Sequence, residues 1–151
     1  MRATALLRRQ HRQVRDLLKT ADHTEDAEGR RRLVDRLTWE LKAHWTIEEE
    51  LFYPAVRSAG TGKAEAAIMQ AMEEHHVVDV ILGELPGVDP EDERFVAKMR
   101  VLSDLVEDHI RQEEQALFKL AQKLGRGELT ELGRQMEARA GELESADRRA
   151  A

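Results

Sequence analysis

Apolar residues recur along this chain at intervals of three and four, the period of a helix with one buried face. Four long stretches show it. Leu7, Val14 and Leu18 mark the first, about 2–21, with arginines on the opposite face. Val34, Leu37, Leu41 and Leu51 mark the second, about 28–53. Ile68, Ala71, Met72, Val78 and Leu82 mark the third, about 63–84. Phe95, Met99, Leu102, Leu105, Val106 and Leu117 mark the fourth, about 90–124. A shorter pattern over 128–141 carries Leu129, Leu132 and Met136, and 142–151 reads as a frayed tail.

The breaks between these stretches are polar. DHTEDAEG makes the first connection, SAGTGK (58–63) the second and GELPGVDPEDE the third. Pro54 is expected to end helix two, because a residue before proline avoids the helical region. Asp89 before Pro90 predicts an N-cap followed by a proline in the first turn. Gly125 and Gly127 stop helix four. No strand pattern or short repeat interrupts the series. Short connections between long helices predict an all-α, up-down-up-down antiparallel four-helix bundle with a short C-terminal fifth helix, forming one domain over 1–151.

Six polar residues fall inside the apolar stripes: His11, His44, Glu48, His75, His109 and Glu113. Two of the stripes carry His-x-x-x-Glu, a spacing that stacks both side chains on one helix face. Taken alone, a histidine on an apolar face is usually a core residue bonded to backbone. Six together ask for a common cause, since burying two unpaired glutamates costs several kcal/mol. Heights agree: at ~1.5 Å per residue, His44 and His75 both lie roughly 15–18 Å from the loop joining their helices. Imidazole suits iron, zinc and copper, and carboxylates can bridge two ions. Four histidines and two bridging glutamates would hold two metal ions with two nitrogens each, and iron suits that donor set.

Composition narrows the rest. With 151 residues and no cysteine, the chain has no disulfides, thiolate ligands or cysteine nucleophile, which fits a cytoplasmic protein. Net charge is −6 and the arginines are dispersed among acids, which argues against a nucleic-acid partner. MRATALLRRQH contains no signal-like apolar run, and no stretch approaches the ~20 apolar residues of a membrane span. Neither a phosphate-binding glycine loop nor a Ser/His/Asp context is present.

His11, HWTIEEELFYPA, EEHH and HIRQEEQALF together resemble the hemerythrin-like (HHE cation-binding) domain family, over about residues 2–124. The ordered set of His, His-x-x-x-Glu, His, His-x-x-x-Glu is the specific part. The resemblance implies a four-helix bundle around a non-heme diiron site, oxo- or hydroxo-bridged. It implies His11, His44, His75 and His109 as ligands, with Glu48 and Glu113 bridging. Family roles include oxygen carriage and sensing, nitric oxide handling, iron sensing and peroxide decomposition.

Other residues carry weaker expectations. Tyr53, the only tyrosine, is expected to pack at the end of helix two, where its phenol could reach a metal. Glu114 projects about 100° from Glu113 and would need a local bulge to turn inward. His76 is expected on the periphery and His23 at the surface. Glu73 and His76 form one Glu-x-x-His, without the second copy that the ferritin-like pattern requires. Trp39 and Trp45 are expected to serve packing. The family's oxygen carriers place a second histidine four residues after the third-helix histidine; here that residue is Asp79, which would supply a carboxylate or leave the position open. The expected activity is therefore catalase-like reaction with hydrogen peroxide, with nitric oxide a further candidate ligand. Non-enzymatic binding or sensing of oxygen or iron is the alternative, and a metal-free bundle acting through partners is a third class. Nothing in the sequence fixes the oligomeric state.

Overall fold

The computed structural model describes residues 1–60 and 62–151; Thr61, inside the expected second connection, lies outside them. Four antiparallel rods form the bundle. The first is α1 (Ala3–Asp22). The second is α2 (Ala27–Ile47), a π turn over Glu48–Phe52 and α3 (Tyr53–Ala59). The third is α4 (Gly62–Glu84). The fourth is α5 (Glu93–Gln115) followed by α6 (Leu117–Ala121). No strand occurs among the described residues, and no helix there is long and apolar enough to cross a membrane.

Three boundaries differ from expectation for local reasons. Helix does not stop at Pro54. The π turn has already interrupted the regular ladder, so Pro54 falls in the first turn of α3, where a missing N–H costs little. The fourth rod starts later than Pro90. Asp92 caps it by accepting from Arg94 N–H, while Asp89 accepts from Glu91 N–H in the preceding turn. The last helix, α7, runs from Gly125 to Ala150 and takes in the expected tail. Gly125 opens it at φ +79°, a conformation that favours glycine. Leu129, Leu132 and Met136 pack onto Leu6 and Leu7. Gly133 permits the approach, since a Cβ there would lie 2.0 Å from the Met1 carbonyl oxygen.

The core is two apolar clusters. One contains Leu6, Leu7, Phe52, Ile68, Leu117 and Phe118, closed by α7. The other contains Val14, Leu37, Leu41, Val78, Leu82 and Leu102. In every rod the predicted inward polar residues fall between the two.

Candidate metal centre

His11 of α1, His44 of α2, Glu48 of the π turn, His75 of α4, and His109 and Glu113 of α5 are all buried. They form two overlapping groups whose ligand atoms lie within 4.8 Å of one another: His11, His44, Glu48 and Glu113, and Glu48, His75 and His109. Glu48 belongs to both. Its Oε1 lies 2.9 Å from His44 Nε2 and its Oε2 lies 3.1 Å from His75 Nε2. Glu113 Oε2 lies 3.5 Å from His11 Nε2 and 3.4 Å from His109 Nε2. Each carboxylate therefore lies against one histidine of each group.

The π turn adds a further oxygen. Five residues along a regular α-helix turn a side chain about 140° from its starting face. The wider turn, closed by Tyr53 N–H donating to the Glu48 carbonyl, brings Tyr53 over Glu48 instead. The Tyr53 hydroxyl donates to Glu48 Oε2 at 3.1 Å, and its oxygen is 3.3 Å from His75 Nε2. The local bulge therefore occurs in helix two and acts on Tyr53.

The atoms facing the centre are under-partnered. His11 Nε2, His44 Nε2, Glu48 Oε1 and both Glu113 carboxylate oxygens are buried without a hydrogen bond. His44 Nε2 and Glu48 Oε1 are close but not aligned as one. Converging lone pairs repel unless a cation stands among them, so the donor set fits metal ions. In the metal-free chain protons take that role. Burial opposes charge on His11, but Glu113 and Glu114 overcome it and raise its pKa to about 9. Burial likewise opposes His109, which Glu113 and Glu74 raise to about 10. Burial alone would raise Glu48; the close positive charges of His44 and His75 hold it well below the usual carboxylate range. Burial pushes the Tyr53 phenol well up, and the charge of Glu48 adds to it.

An outer ring fixes the histidines. His11 Nδ1 donates to Glu114 at 2.7 Å, His44 Nδ1 to Gln10 at 2.6 Å, His75 Nδ1 to Glu49 at 2.9 Å and His109 Nδ1 to Glu74 at 3.0 Å. An ionised carboxylate or an amide oxygen only accepts, so each Nδ1 carries the proton and each Nε2 faces inward. Every ring member adjoins an inner residue in sequence and serves the next rod: 10 beside 11, 49 beside 48, 74 beside 75, 114 beside 113. Sequence reasoning missed Gln10, Glu49 and Glu74; that adjacency was the available signal. Phe118 stacks on His11 and Trp45 on His75, completing the walls.

The remaining candidates lie elsewhere. His23, Glu73 and His76 are exposed, and Trp39 is half-buried. Asp79 is exposed and belongs to neither group. Four residues advance a helix by about 40° beyond one turn, which carries Asp79 from the inner face of α4 toward solvent.

The family model for the hemerythrin HHE cation binding domain matches residues 2–121. The chain is similar to the crystal structure of a hemerythrin HHE cation binding domain-containing protein from Mycobacterium kansasii. The TM-score is 0.85 at 26% identity, covering 97% of this chain and 89% of that one. It is also 29% identical over 113 residues to a protein from Nostoc sp. named DNA nickase. That match takes in 75% of this chain but only 31% of the relative's length.

Proposed function

This chain belongs to the hemerythrin HHE cation-binding family, and on that premise we propose that its buried histidines and glutamates hold two iron ions for the decomposition of hydrogen peroxide. The observation that carries the reading is the set of inward atoms without hydrogen bonds on the first, second and fourth rods, with His75 of the third rod 3.1 Å from Glu48 among them. His11 with His44, and His75 with His109, would give each ion two nitrogens. The contacts of Glu48 and Glu113 with one histidine of each pair support bridging roles. A nitrogen and oxygen set without sulfur suits iron. When bound, such a pair supplies two-electron redox chemistry, as converting two peroxide molecules into two of water and one of oxygen requires.

The chain's own residues restrict the substrate. Val14, Leu41, Val78, Val106 and Ile110, with His11, His44 and His109, surround a cavity of about 10 Å³. That is room for about one water-sized molecule. It supports peroxide, oxygen or nitric oxide as ligand and disfavours organic substrates. Net charge of −6 supports a small-molecule ligand over nucleic acid. Tyr53 holds a proton at its hydroxyl beside Glu48, poised as a further oxygen donor once that proton leaves. Asp79, turned to solvent where the family's oxygen carriers have a histidine, leaves the Tyr53 oxygen as the nearby donor, and this departure from the carriers' donor set supports peroxide turnover over reversible carriage. Lack of cysteine supports a cytoplasmic setting.

The test is iron analysis of the purified protein, expected at about two per chain by the donor count, with oxygen evolution from peroxide against a metal-free control. A protein that binds oxygen reversibly for many cycles and leaves peroxide untouched belongs instead to the binding or sensing class.

A further inference from the structure

Helix α4 is apolar on both sides. Its inner face supplies Ile68, Ala71, Val78 and Leu82 to the core. Its outer face also carries large apolar side chains: Met69 is 54% exposed, Met72 38%, Val77 47% and Val80 47%. Four of the six exposed large apolar side chains among the described residues thus lie on this one helix. The bundle gives the face no cover, while the solvent sides of α1 and α2 are rich in arginine and acids. A concentrated apolar stripe with polar residues set into it marks a contact surface.

The order of residues within the stripe selects the partner. Two identical helices related by a two-fold axis across them run antiparallel, and their facing residues pair reciprocally. One register places Met69 opposite Val80, Met72 opposite Val77 and Ala66 opposite Gly83. In that register Glu73 of each copy faces His76 of the other, an acid against a base, twice. Ala66 and Gly83 are small, and a Cβ at Gly83 would meet nothing within 4 Å, so the backbones can approach at both ends. The ends set Glu65 of one copy against Glu84 of the other, two acids that each carry a base of their own chain. Glu65 is held by Arg57 at 2.6 Å and Glu84 by Lys98 at 2.6 Å. Bringing Glu65 of one copy to Glu84 of the other brings both bases along, so each end assembles two acids and two bases. The competing register, centred on His76, also buries the methionines and valines. It sets Glu73 against Asp79, acid against acid, and His76 against its own copy, so neither acid meets a base. Charge therefore discriminates between two registers that apolar burial alone would leave equal.

We propose that the outer face of α4 docks antiparallel on the same face of a second copy of this chain, with Glu73 of each opposite His76 of the other. The contact lies outside the metal centre and does not depend on what binds there. At a concentration of about 100 μM, a micromolar contact would leave the chain mostly paired. Sedimentation of the iron-loaded protein at that concentration should give twice the 17.3 kDa chain mass. Met69→Glu with Val80→Glu should give the single-chain mass, with helical circular dichroism and iron content unchanged. A wild-type protein of single-chain mass overturns the proposal and assigns the face to a different partner. A dimer that survives the double substitution overturns it by placing the contact elsewhere. The absence of native cysteine permits an independent test of register. Glu73→Cys and His76→Cys chains, one carrying a size tag, are mixed in equal amounts and oxidised with diamide. The mixed disulfide should predominate. Predominance of the His76→Cys homodimer would establish the competing register and overturn this one.

Discussion

Glu74 adjoins His75 in the chain, yet the histidine it holds is His109, 3.0 Å away on the next rod. The same displacement recurs at all four histidines, so the outer ring ties each rod to the following one. The inner and outer layers are thus one construction. A rod supplies its own inward side chain and, from the adjacent position, the acceptor that orients its neighbour's histidine.

That construction sets the cost of removing one acceptor. Glu74→Ala should leave His109 in place but free to rotate or change tautomer, weakening iron retention by about 10–100-fold. Glu73→Ala, one residue away and exposed, should leave retention unchanged. Competition with a chelator compares the two. Equal retention would show that the ring does not orient the histidines.

The two inner carboxylates differ from the ring in lying against one histidine of each pair. Glu48→Ala or Glu113→Ala should therefore remove iron from both positions, and more completely than His23→Ala or His76→Ala, whose side chains are exposed. Metal analysis after identical iron-replete expression decides this. Matching iron contents in all four variants would reject the proposed ligand set.

Stability of the metal-free chain should depend on pH in a defined direction. His11 and His109 are raised from 6.5 to about 9 and about 10, against burial, by Glu113 with Glu114 and Glu74. A raised folded value stabilises fully below the unfolded pKa and loses that contribution as pH rises through the folded value. The melting temperature should therefore fall between about pH 6.5 and pH 10. Glu48 acts oppositely: its contribution is present above the ordinary carboxylate pKa and lost as pH falls through its lowered value. Iron must displace the histidine protons, so its affinity should rise with pH over the same alkaline window. Calorimetry with and without iron measures both; a flat metal-free profile would contradict the proton-holding role of the site.

Much of this centre was legible in the sequence because helical period and burial act residue by residue. His44 and Glu48, or His109 and Glu113, announce themselves by standing in apolar stripes. Glu49 and Glu74 do not, because each looks like any other of the chain's 30 acidic residues until the neighbouring rod is in place. The π turn was hidden for another reason. Pro54 signals a break in the hydrogen-bond ladder, and the break is real, but the chain resolves it by widening a turn rather than ending the helix. Tyr53 takes helical angles, φ −62° and ψ −42°, despite the proline that follows. The extension of α7 to Ala150 escaped because its last turns have few apolar residues; local pairs such as Arg148–Glu144, at 2.6 Å, accompany it.

The π turn leads to the last prediction. Its effect is to hold the Tyr53 oxygen 3.1 Å from Glu48 and 3.3 Å from His75, inside the second ligand group. In the metal-free chain the phenol keeps its proton, because burial and the charges of Glu48 and Glu113 all oppose a phenolate. A cation among the same side chains reverses that balance, since an adjacent positive charge favours the ionised form. Bound to ferric iron, a phenolate donates charge to the metal and gives a visible absorption band that carboxylates and imidazoles do not. The ferric protein should therefore show such a band, and Tyr53→Phe should abolish it while retaining most of the iron, because the four histidines and two glutamates remain. Raman scattering excited within the band should show phenolate modes in the wild type alone. A Tyr53→Phe protein with an unchanged visible spectrum would place the phenol beside the centre as a hydrogen-bond donor to Glu48 and not as a ligand.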